Sequence, residues 1–423
     1  MIRFPFQSRI RSISRSESAR SIASSLIVGL FITLGQIALV VVVINEQSMA
    51  ESWSDGLVQW DSRWYHQIAE RGYVKLEKMD EESLGSFRFP PGFPLLSRFI
   101  SKLTGLNLHV SLIVTAQLCC WGFWIYFLLL LREARASCNV QVFAVGLIAL
   151  HPVSFFLIAA YSESLFLFSL FGFIYWVERP GPSALIPAAI HGFLMTATRF
   201  VGITLIVYPL IRALVRRNWG RNQAGSSAAV SYGSALLVGM FSAAGLASYL
   251  AYCQWEFGNW NLFSISHRVS CGIDPYPLAL LDPRVFYDAV STWNEVLLDP
   301  VALNALCAGY CFLLSIGLVL AEIAAGKKAR LPGLGWRIGI YVCAMFLFAL
   351  PYTSHGRVQL LSFSRFSLPV IALLTLAGAH LAAESGIEKR WRWLAWILGT
   401  LLLLSAVANG LMTTRFTSGA WVA

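Results

Sequence analysis

The chain has 423 residues, of which 57% are hydrophobic and 13% are charged. A soluble globular protein carries about 25% charged residues, so this composition excludes an ordinary soluble enzyme. The 15 Trp, 28 Phe and 14 Tyr residues exclude a disordered chain, because disorder requires few aromatic side chains. Apolar segments recur along the chain, which favours a single helical domain that crosses a membrane several times.

The formal net charge of +10 comes largely from basic residues in short links between apolar segments. The positive-inside rule places such links on the cytoplasmic side of a membrane. The charge therefore indicates orientation, and we expect membrane lipids rather than nucleic acid as the surroundings of this protein.

The N-terminal residues 1–22 form a basic segment that we expect to remain in the cytoplasm. An apolar run from about 24 to 44 follows, and its length matches the roughly 20 residues that a membrane-spanning helix requires. We interpret this run as an uncleaved signal anchor. Residues 23–423 then form one transmembrane domain, with the 46–105 loop on the outer face.

Ten further apolar segments predict ten more transmembrane helices, about eleven in all. With eleven helices the basic links face the cytoplasm, and two long loops, 46–105 and 254–300, lie outside. Polar chemistry is therefore expected at the outer face. The ten segments lie at 106–131, 139–159, 163–178, 184–198, 200–215, 229–253, 301–325, 334–352, 366–383 and 393–413.

The first long loop contains a predicted amphipathic helix. Trp60, Trp64 and Ile68 recur at four-residue spacing and form one apolar stripe, and Gly72 follows as a helix stop. A helix of this kind lies at the membrane interface. Asp61 stands at its start.

Asp61 has two compatible interpretations. As an N-cap, its carboxylate accepts hydrogen bonds from backbone N–H groups of the first helical turn. As a general base, a carboxylate near a helix N-terminus stays ionised at neutral pH and accepts a proton from a hydroxyl group. Asp55 is a less constrained second acid of this loop, and His66 is interpreted as a hydrogen-bonding interface residue rather than a metal ligand.

A second polar group falls at the ends of predicted transmembrane helices. Glu163 lies between apolar segments, where a carboxylate is costly and usually functional, although it could also merely start the next helix. Arginines predicted at the outer face break the positive-inside rule, and a lipid phosphate would compensate their charge because guanidinium binds phosphate oxygens in pairs. Pairing with Glu163 or with lipid headgroups is the alternative. These outer residues are Arg199, His355, Arg357 and Arg365.

Other motifs of catalysis or cofactor binding are absent from the sequence. It contains no Walker A loop, no GxGxxG between a strand and a helix, no HExxH and no GxSxG. There is no dedicated cluster of metal ligands either. A divalent metal ion shared by Asp61, Glu163 and a phosphate is the cofactor that the sequence leaves open.

Several of these segments resemble the PIG-V family, the GPI mannosyltransferase 2 family with its bacterial relatives. The resemblance reaches to about residue 205. The segments are Trp-Asp-Ser at 60–62, Ile-Ala-Glu-Arg-Gly-Tyr at 68–73, Phe-Pro-Pro-Gly-Phe-Pro at 89–94, Ala-Tyr-Ser-Glu-Ser-Leu-Phe at 160–166 and Ala-Thr-Arg at 197–199.

The resemblance implies a GT-C glycosyltransferase fold with its active site on the non-cytoplasmic face. It also implies a polyprenyl-phosphate mannose donor and inversion at the anomeric carbon. The family's first-loop aspartate falls on Asp61, as general base toward the acceptor hydroxyl. Glu163 is the second catalytic residue, as a polar contact to the sugar or the acceptor. The expected substrate-binding residues are Trp60, Arg63, His66, Tyr161, Ser162, Arg199, His355, Arg357 and Arg365.

The acceptor is left as a lipid-linked, glycan or protein molecule, and two other functions stay open. A transporter or flippase of lipid-linked sugar would carry polar residues throughout its helices, whereas here they gather at one face. A noncatalytic subunit of a mannosyltransferase complex would tolerate the loss of Asp61. The expected location is a bacterial cytoplasmic membrane, or the endoplasmic reticulum in a eukaryote.

Overall fold

The computed structural model describes most of the chain, and the regular secondary structure of the described residues is helical apart from one pair of short strands. This agrees with the predicted helical membrane protein. The described residues are 15–47, 53–74, 84–219, 232–271, 273–275, 282, 284, 300–326, 333–348, 352–354, 362–385 and 392–422.

The helices are numbered here in chain order. The first eight are α1 (Arg15–Gln47), α2 (Trp53–Leu57), α3 (Ser62–Arg71), α4 (Gly92–Thr104), α5 (Leu108–Glu133), α6 (Cys138–Ala149), α7 (Glu163–Val177) and α8 (Leu185–Thr198). The others are α9 (Tyr208–Trp219), α10 (Tyr232–Phe257), α11 (Leu262–Cys271), α12 (Pro300–Gly326), α13 (Leu334–Phe348), α14 (Phe363–Ser385) and α15 (Arg392–Thr417). Short 3-10 helices lie at Gly85–Arg88, Ser154–Leu157, Pro182–Ala184 and Phe200–Val207.

Each of the eleven predicted transmembrane segments contains a helix, and the chain is a multi-pass membrane protein. Five helices among the described residues are long and apolar enough to cross a membrane. The number that crosses it remains a prediction. The five are Ala19–Asn45, Leu108–Glu133, Tyr232–Phe257, Ala302–Ala325 and Phe363–Ser385.

The helices form two packed groups that α14 joins. In the first group α1, α5, α7, α8 and α10 each pack against the next. In the second, α14 packs against both α12 and α13, and it also contacts α5 and α6. Nearly all of the first sixteen residues of α14 are buried, so this helix occupies the interior of the protein.

The predicted helix over 139–159 is wrong in its second half, because α6 ends at Ala149 and residues 150–162 are not α-helical. Pro152 accounts for the break, since proline has no N–H group and disfavours helical geometry in the residue before it. Irregular backbone inside a membrane protein must find partners within the protein. Asn409 of α15 donates to the His151 carbonyl at 2.6 Å, and Ser405 donates to the Leu150 carbonyl at 2.7 Å.

The predicted helix over 200–215 begins as a different type of helix. Its first eight residues form a 3-10 helix, and the α-helix α9 begins only at Tyr208. Five of those eight residues are β-branched and one is Gly202. Both residue types lower α-helix propensity. Gly202 lies so close to α8 that a β-carbon there would come within 2.8 Å of the Met195 carbonyl oxygen.

The two strands connect distant parts of the sequence. β1 (Ile273–Pro275) pairs in antiparallel fashion with β2 (Tyr352–Ser354), and Ile273 lies opposite Ser354. This pairing ties the second long loop, 254–300, to the segment between α13 and α14.

We expect Gly245→Ala in α10 to lower the free energy of unfolding by about 1–3 kcal/mol, as overpacking of a tight interface does. An added β-carbon would overlap the Phe193 carbonyl oxygen and the Thr196 hydroxyl of α8. Thermal unfolding of the detergent-solubilised protein measures the effect. Gly239→Ala on the same helix is the matched control, because its nearest neighbour would be the Ile206 carbonyl oxygen at 3.4 Å. Equal destabilisation by both variants would contradict this account.

Candidate active site

Two acids and two arginines from four parts of the chain form a charged cluster, consisting of Asp61, Arg365, Glu163 and Arg199. Arg365 binds both acids, because its Nη1 lies 2.7 Å from Asp61 Oδ2 and its Nε and Nη2 each lie 2.7 Å from Glu163 Oε1. Arg199 Nη1 lies 2.8 Å from the same Glu163 oxygen. Salt bridges thus run from Asp61 to Arg199 through Arg365 and Glu163.

Burial increases along this cluster from Asp61 to Glu163. The Asp61 side chain is 30% exposed, that of Arg365 is 7% exposed and that of Glu163 is 2% exposed. A buried carboxylate must be compensated by an opposite charge and hydrogen bonds. Both arginines supply this compensation through one oxygen, and no described residue donates a hydrogen bond to Glu163 Oε2.

Each charged side chain is placed by the end of a helix. Asp61 immediately precedes α3, Glu163 is the first residue of α7, and Arg365 lies in the first turn of α14. Arg199 follows the last residue of α8, where the backbone becomes extended with φ −143°. Four helix ends therefore meet at one point.

Two non-glycine residues with left-handed backbone flank the Asp61–Arg365 salt bridge. Trp60 has φ 51° and directly precedes Asp61, and Ser362 has φ 55° three residues before Arg365. Such conformations cost of order 1–3 kcal/mol and cluster at functional sites, where the surrounding structure holds them. Strained backbone therefore lies close to both residues that form this salt bridge.

Aromatic rings surround the two arginines. The Arg365 guanidinium carbon lies 4.8 Å from the ring centre of Phe156 and 4.7 Å from that of Tyr161. The Arg199 guanidinium carbon lies 4.9 Å from the ring centre of Phe366. Cation–π contacts of this kind hold a guanidinium in place and exclude water from one of its faces.

The segment 84–89 of the first loop is held in place by three hydroxyl groups. Tyr73 donates to the Phe89 carbonyl and Tyr249 to the Phe87 carbonyl, both at 2.6 Å, and Ser266 donates to the Leu84 carbonyl at 2.5 Å. Next in the chain, Gly92 packs so closely on α8 that a β-carbon there would lie 2.7 Å from the Ala197 carbonyl oxygen. The loop therefore forms a fixed wall of the site.

Two cavities meet at the charged cluster, and Asp61, Arg88, Arg365 and Trp421 line both. The larger has a volume of about 700 Å³ and the smaller about 230 Å³. The rest of the larger lining is Gln59, Trp60, Arg63, Trp64, Gln67, Phe156, Tyr161, Phe416, Gly419 and Val422. The rest of the smaller lining is Tyr65, Phe89, Pro90, Ser162, Thr198, Arg199, Phe200, Val201, Phe263, His267, Ser362 and Phe366.

Arginines outnumber acids in the described linings of both cavities. Arg63, Arg88 and Arg365 face the larger cavity with Asp61 as the acid, and Arg199 replaces Arg63 in the smaller one. Glu163 lies behind Arg365 and Arg199 and neutralises one of these charges. The linings keep a positive excess, which suits an anionic ligand.

Most of the predicted site residues come together here. Trp60 and Arg63 line the larger cavity, Tyr161 contacts Arg365, and Ser162 shares a hydrogen bond of 2.9 Å with the Tyr65 hydroxyl. The arginines Arg199 and Arg365 pair with Glu163, one of the alternatives that the sequence left open, and they also line the cavities.

Three predicted residues do not join this group. His66 is absent from both linings, and its ring lies 6.5 Å from that of His109, centre to centre. Burial lowers the pKa of His66. His355 and Arg357 lie outside the described residues, so their predicted role stays a prediction.

The first-loop helix forms close to its predicted position but buries a different face. α3 begins at Ser62, so Trp60 precedes it and is 44% exposed, whereas Tyr65, Ile68 and Ala69 are buried. Tertiary packing on α4 and α5 thus replaces the predicted stripe of Trp60, Trp64 and Ile68. Asp61 occupies the N-cap position, but its carboxylate makes no capping hydrogen bond and binds Arg365 instead.

Sequence reasoning missed several residues of the linings. Gln67 lies four residues after Arg63, and this spacing was the signal that could have placed both on one face of α3. Arg88 was not among the predicted site residues, although the sequence left contact with an anionic headgroup open as the alternative to snorkelling. It lies against the rings of Trp64 and Phe89, at 6.0 and 5.5 Å from their centres. No pattern in the sequence pointed to Trp421, because the residues around it do not show that the segment after α15 meets the first loop.

The residues present do not fit a divalent metal ion shared by Asp61 and Glu163. Arg365 stands between the two carboxylates and binds both, so the ion would have to displace a buried guanidinium group. In the part of the chain that the structure describes, no three His, Cys, Asp or Glu side chains lie close enough together to hold a metal ion.

The sequence profile of one protein family matches the part of the chain that supplies three members of the charged cluster. Residues 34–214 match the mannosyltransferase (PIG-V) family. This confirms the resemblance seen in the motifs and indicates a mannosyltransferase, and therefore a glycosyltransferase. The matched segment contains Asp61, Glu163 and Arg199 and ends before Arg365. No curated protein matches the chain.

We expect Glu163→Gln to lower the free energy of unfolding by about 3–5 kcal/mol, because it leaves the buried charges of Arg365 and Arg199 without their shared acid. Thermal unfolding in detergent measures the change. Glu70→Gln is the control, since Glu70 pairs with Arg71 at the surface, where both side chains are at least half exposed and the loss is within about 0.5 kcal/mol. Equal stability of both variants would contradict the role assigned to Glu163.

A second prediction concerns His267, which lines the smaller cavity. Burial lowers its pKa to about 4, against the effect of a hydrogen bond to the Phe263 carbonyl. The ring is neutral at pH 7. A histidine in the unfolded chain has a pKa of about 6.5, so protonation favours the unfolded state. The contribution of neutral His267 to the free energy of unfolding is therefore complete above pH 6.5 and is lost as the pH falls towards 4.

The measurement is the unfolding temperature of wild type and His267→Gln between pH 4 and 8. Below pH 6.5 the wild type should lose several degrees more than the variant, which has no ring to protonate. Parallel curves over this pH range would contradict the assigned neutral state of His267.

Proposed function

We propose that this protein transfers mannose from polyprenyl-phosphate mannose to an acceptor hydroxyl at the non-cytoplasmic face of the membrane, with inversion at the anomeric carbon. The proposal rests on one observation above all: the first-loop carboxylate of Asp61, held by Arg365, faces two cavities whose described linings are positively charged. A base beside an anion-binding surface is what this reaction requires.

Asp61 acts as the general base. Its carboxylate is partly exposed, so an acceptor hydroxyl can reach it from the cavities. The acceptor oxygen attacks C1 of mannose and its proton passes to Asp61, while the bond from C1 to the phosphate oxygen breaks. Polyprenyl phosphate departs with the bonding electrons, and the phosphate is stable enough as an anion to need no protonation by an acid.

Arg365 and Glu163 position the base. Glu163 holds the Nε and Nη2 atoms of Arg365, which directs Nη1 at Asp61 Oδ2. The transition state of glycosyl transfer resembles an oxocarbenium ion, so the attacking hydroxyl needs only a weak base. Fixed orientation therefore contributes more than basicity.

The donor phosphate lies at the arginines. Arg88, Arg199 and Arg365 line the smaller cavity together with Phe200, Phe263 and other apolar residues. Guanidinium groups bind phosphate oxygens in pairs, and an apolar wall suits the first isoprene units of the lipid. The larger cavity, lined by glutamines and tryptophans, then receives the acceptor.

A flippase or a noncatalytic subunit would carry the same helices, and the charged cluster favours the enzyme over both. The described acids and arginines at this site meet at four helix ends instead of following a path through the membrane. Backbone strain beside Asp61 suits a residue with a chemical task. Neither feature is required for assembly with another subunit.

The test is transfer of radiolabelled mannose from polyprenyl-phosphate mannose into extracts of host membranes by the purified protein. We expect Asp61→Asn to lower the rate at saturating substrate by about 10²–10⁴-fold, the typical contribution of a general base. Asp55→Asn is the matched control, because Asp55 lies in the same loop but pairs with His109 at 3.3 Å and lines neither cavity.

Asp55→Asn should unfold at the wild-type temperature, whereas Asp61→Asn should unfold at a lower temperature because the buried Arg365 loses a salt bridge. The transfer rates are therefore compared at a temperature at which both variants remain folded. Transfer at the wild-type rate by Asp61→Asn would exclude Asp61 as the base. The absence of transfer by the wild type would overturn the proposed reaction.

A further inference from the structure

The segment that follows α15 turns back onto the site through a defined helix C-cap. The Ala420 N–H donates to the Arg415 carbonyl at 2.9 Å, and the Gly419 N–H donates to the Phe416 carbonyl at 3.0 Å. This pair of hydrogen bonds is the Schellman motif, in which the residue at the Gly419 position is left-handed. Gly419 has φ 82°, a conformation that glycine adopts without strain.

Buried side chains on both sides hold this turn in place. Phe416 is 1% exposed and packs on the rings of Phe155, Phe156 and Tyr161, at 4.9, 5.4 and 5.7 Å between ring centres. Val422 is 2% exposed and belongs to the hydrophobic core. Trp421 lies between these two anchors, so its position is determined by the fold.

The Trp421 side chain borders the two cavities instead of filling the core. It is 37% exposed and is one of the four described residues that line both cavities, with Asp61, Arg88 and Arg365. The other three are charged. Trp421 is therefore the apolar surface at the junction where the proposed reaction takes place.

An indole ring in this position suits one face of a sugar. The axial C–H bonds of a pyranose ring pack on an aromatic face, while its hydroxyl groups project sideways to hydrogen-bond donors and acceptors. Gln59 and Gln67 line the larger cavity and provide such groups. A sugar stacked on Trp421 from that side has Asp61 within the same lining.

We propose that Trp421 is a specificity-determining residue that stacks on the acceptor sugar and directs its hydroxyl toward Asp61. This assignment rests on the proposed function. It gives the acceptor a carbohydrate unit at the point of transfer, and it places the choice of acceptor in a segment outside the 34–214 family match.

The test separates use of the acceptor from use of the donor. Radiolabelled polyprenyl-phosphate mannose is supplied at saturation while an extract of host membranes is titrated as the acceptor, and free mannose released by water is measured without extract. For Trp421→Ala we expect the half-saturating amount of extract to rise about tenfold or more. The half-saturating donor concentration and the rate of free mannose release should change by a much smaller factor, because Trp421 only borders the smaller cavity in which the donor is proposed to lie.

Three further variants test whether the effect depends on the aromatic ring of residue 421 and on its position. Trp421→Phe keeps an aromatic face and should restore most of the acceptor affinity. Gly419→Ala should weaken acceptor use through the backbone alone, because its added β-carbon meets no atom closer than Gln59 Oε1 at 4.0 Å. Trp255→Ala is the control, since Trp255 is 91% exposed on α10 and lines neither cavity.

Several outcomes would overturn the assignment. An unchanged acceptor requirement in Trp421→Ala would exclude stacking, and an equal loss of donor and acceptor use would mean that Trp421 supports the site as a whole. A fall in unfolding temperature with unaltered kinetics would make Trp421 a membrane-interface anchor. If the wild type neither transfers nor releases mannose, the proposed function fails and this assignment fails with it.

Discussion

The arrangement of the site depends on the buried salt bridges that Arg365 makes. Arg365 lies near the start of α14, the helix that joins the two packed groups, and it binds Glu163 of α7 and Asp61 before α3. A guanidinium group has five N–H donors in one plane, which is enough to bind both carboxylates at once. The ammonium group of a lysine does not have this planar arrangement. Arg365 therefore joins the start of the first-loop helix to the interior of the protein.

The same salt bridges explain why irregular backbone surrounds the site. A continuous helix cannot direct side chains from several segments to one point, whereas helix ends can. The break after α6, the extended residue Arg199 after α8 and the turn after α15 all occur around the cluster. After α6, the side chains of Ser405 and Asn409 donate hydrogen bonds to the carbonyl groups that the end of the helix leaves without backbone partners. Irregular backbone in a membrane protein requires such partners.

The sequence left two alternatives for the outer arginines: pairing with Glu163, or binding of a phosphate. The charges at the site accommodate both. Arg199 and Arg365 pair with Glu163, and they also line cavities in which arginines exceed acids. Asp61 and Glu163 balance the charges of Arg365 and Arg199, and Arg88 adds a further positive charge to both linings. Glu163 holds Arg365 and Arg199 in place, so pairing with an acid and an anion-binding lining coexist at this site.

The sequence by itself determined the membrane class and the approximate positions of the helices, and it singled out Asp61 and Glu163 as candidate site residues. Hydrophobic segments and buried charges are local signals, and they can be seen without knowing which helices touch. Only the tertiary structure decided that Arg365 joins the two acids, that α3 buries Tyr65 instead of Trp60, and that Trp421 reaches the site. These arrangements bring together residues as many as 360 positions apart, and no periodicity or spacing along a chain encodes which distant segments pack together.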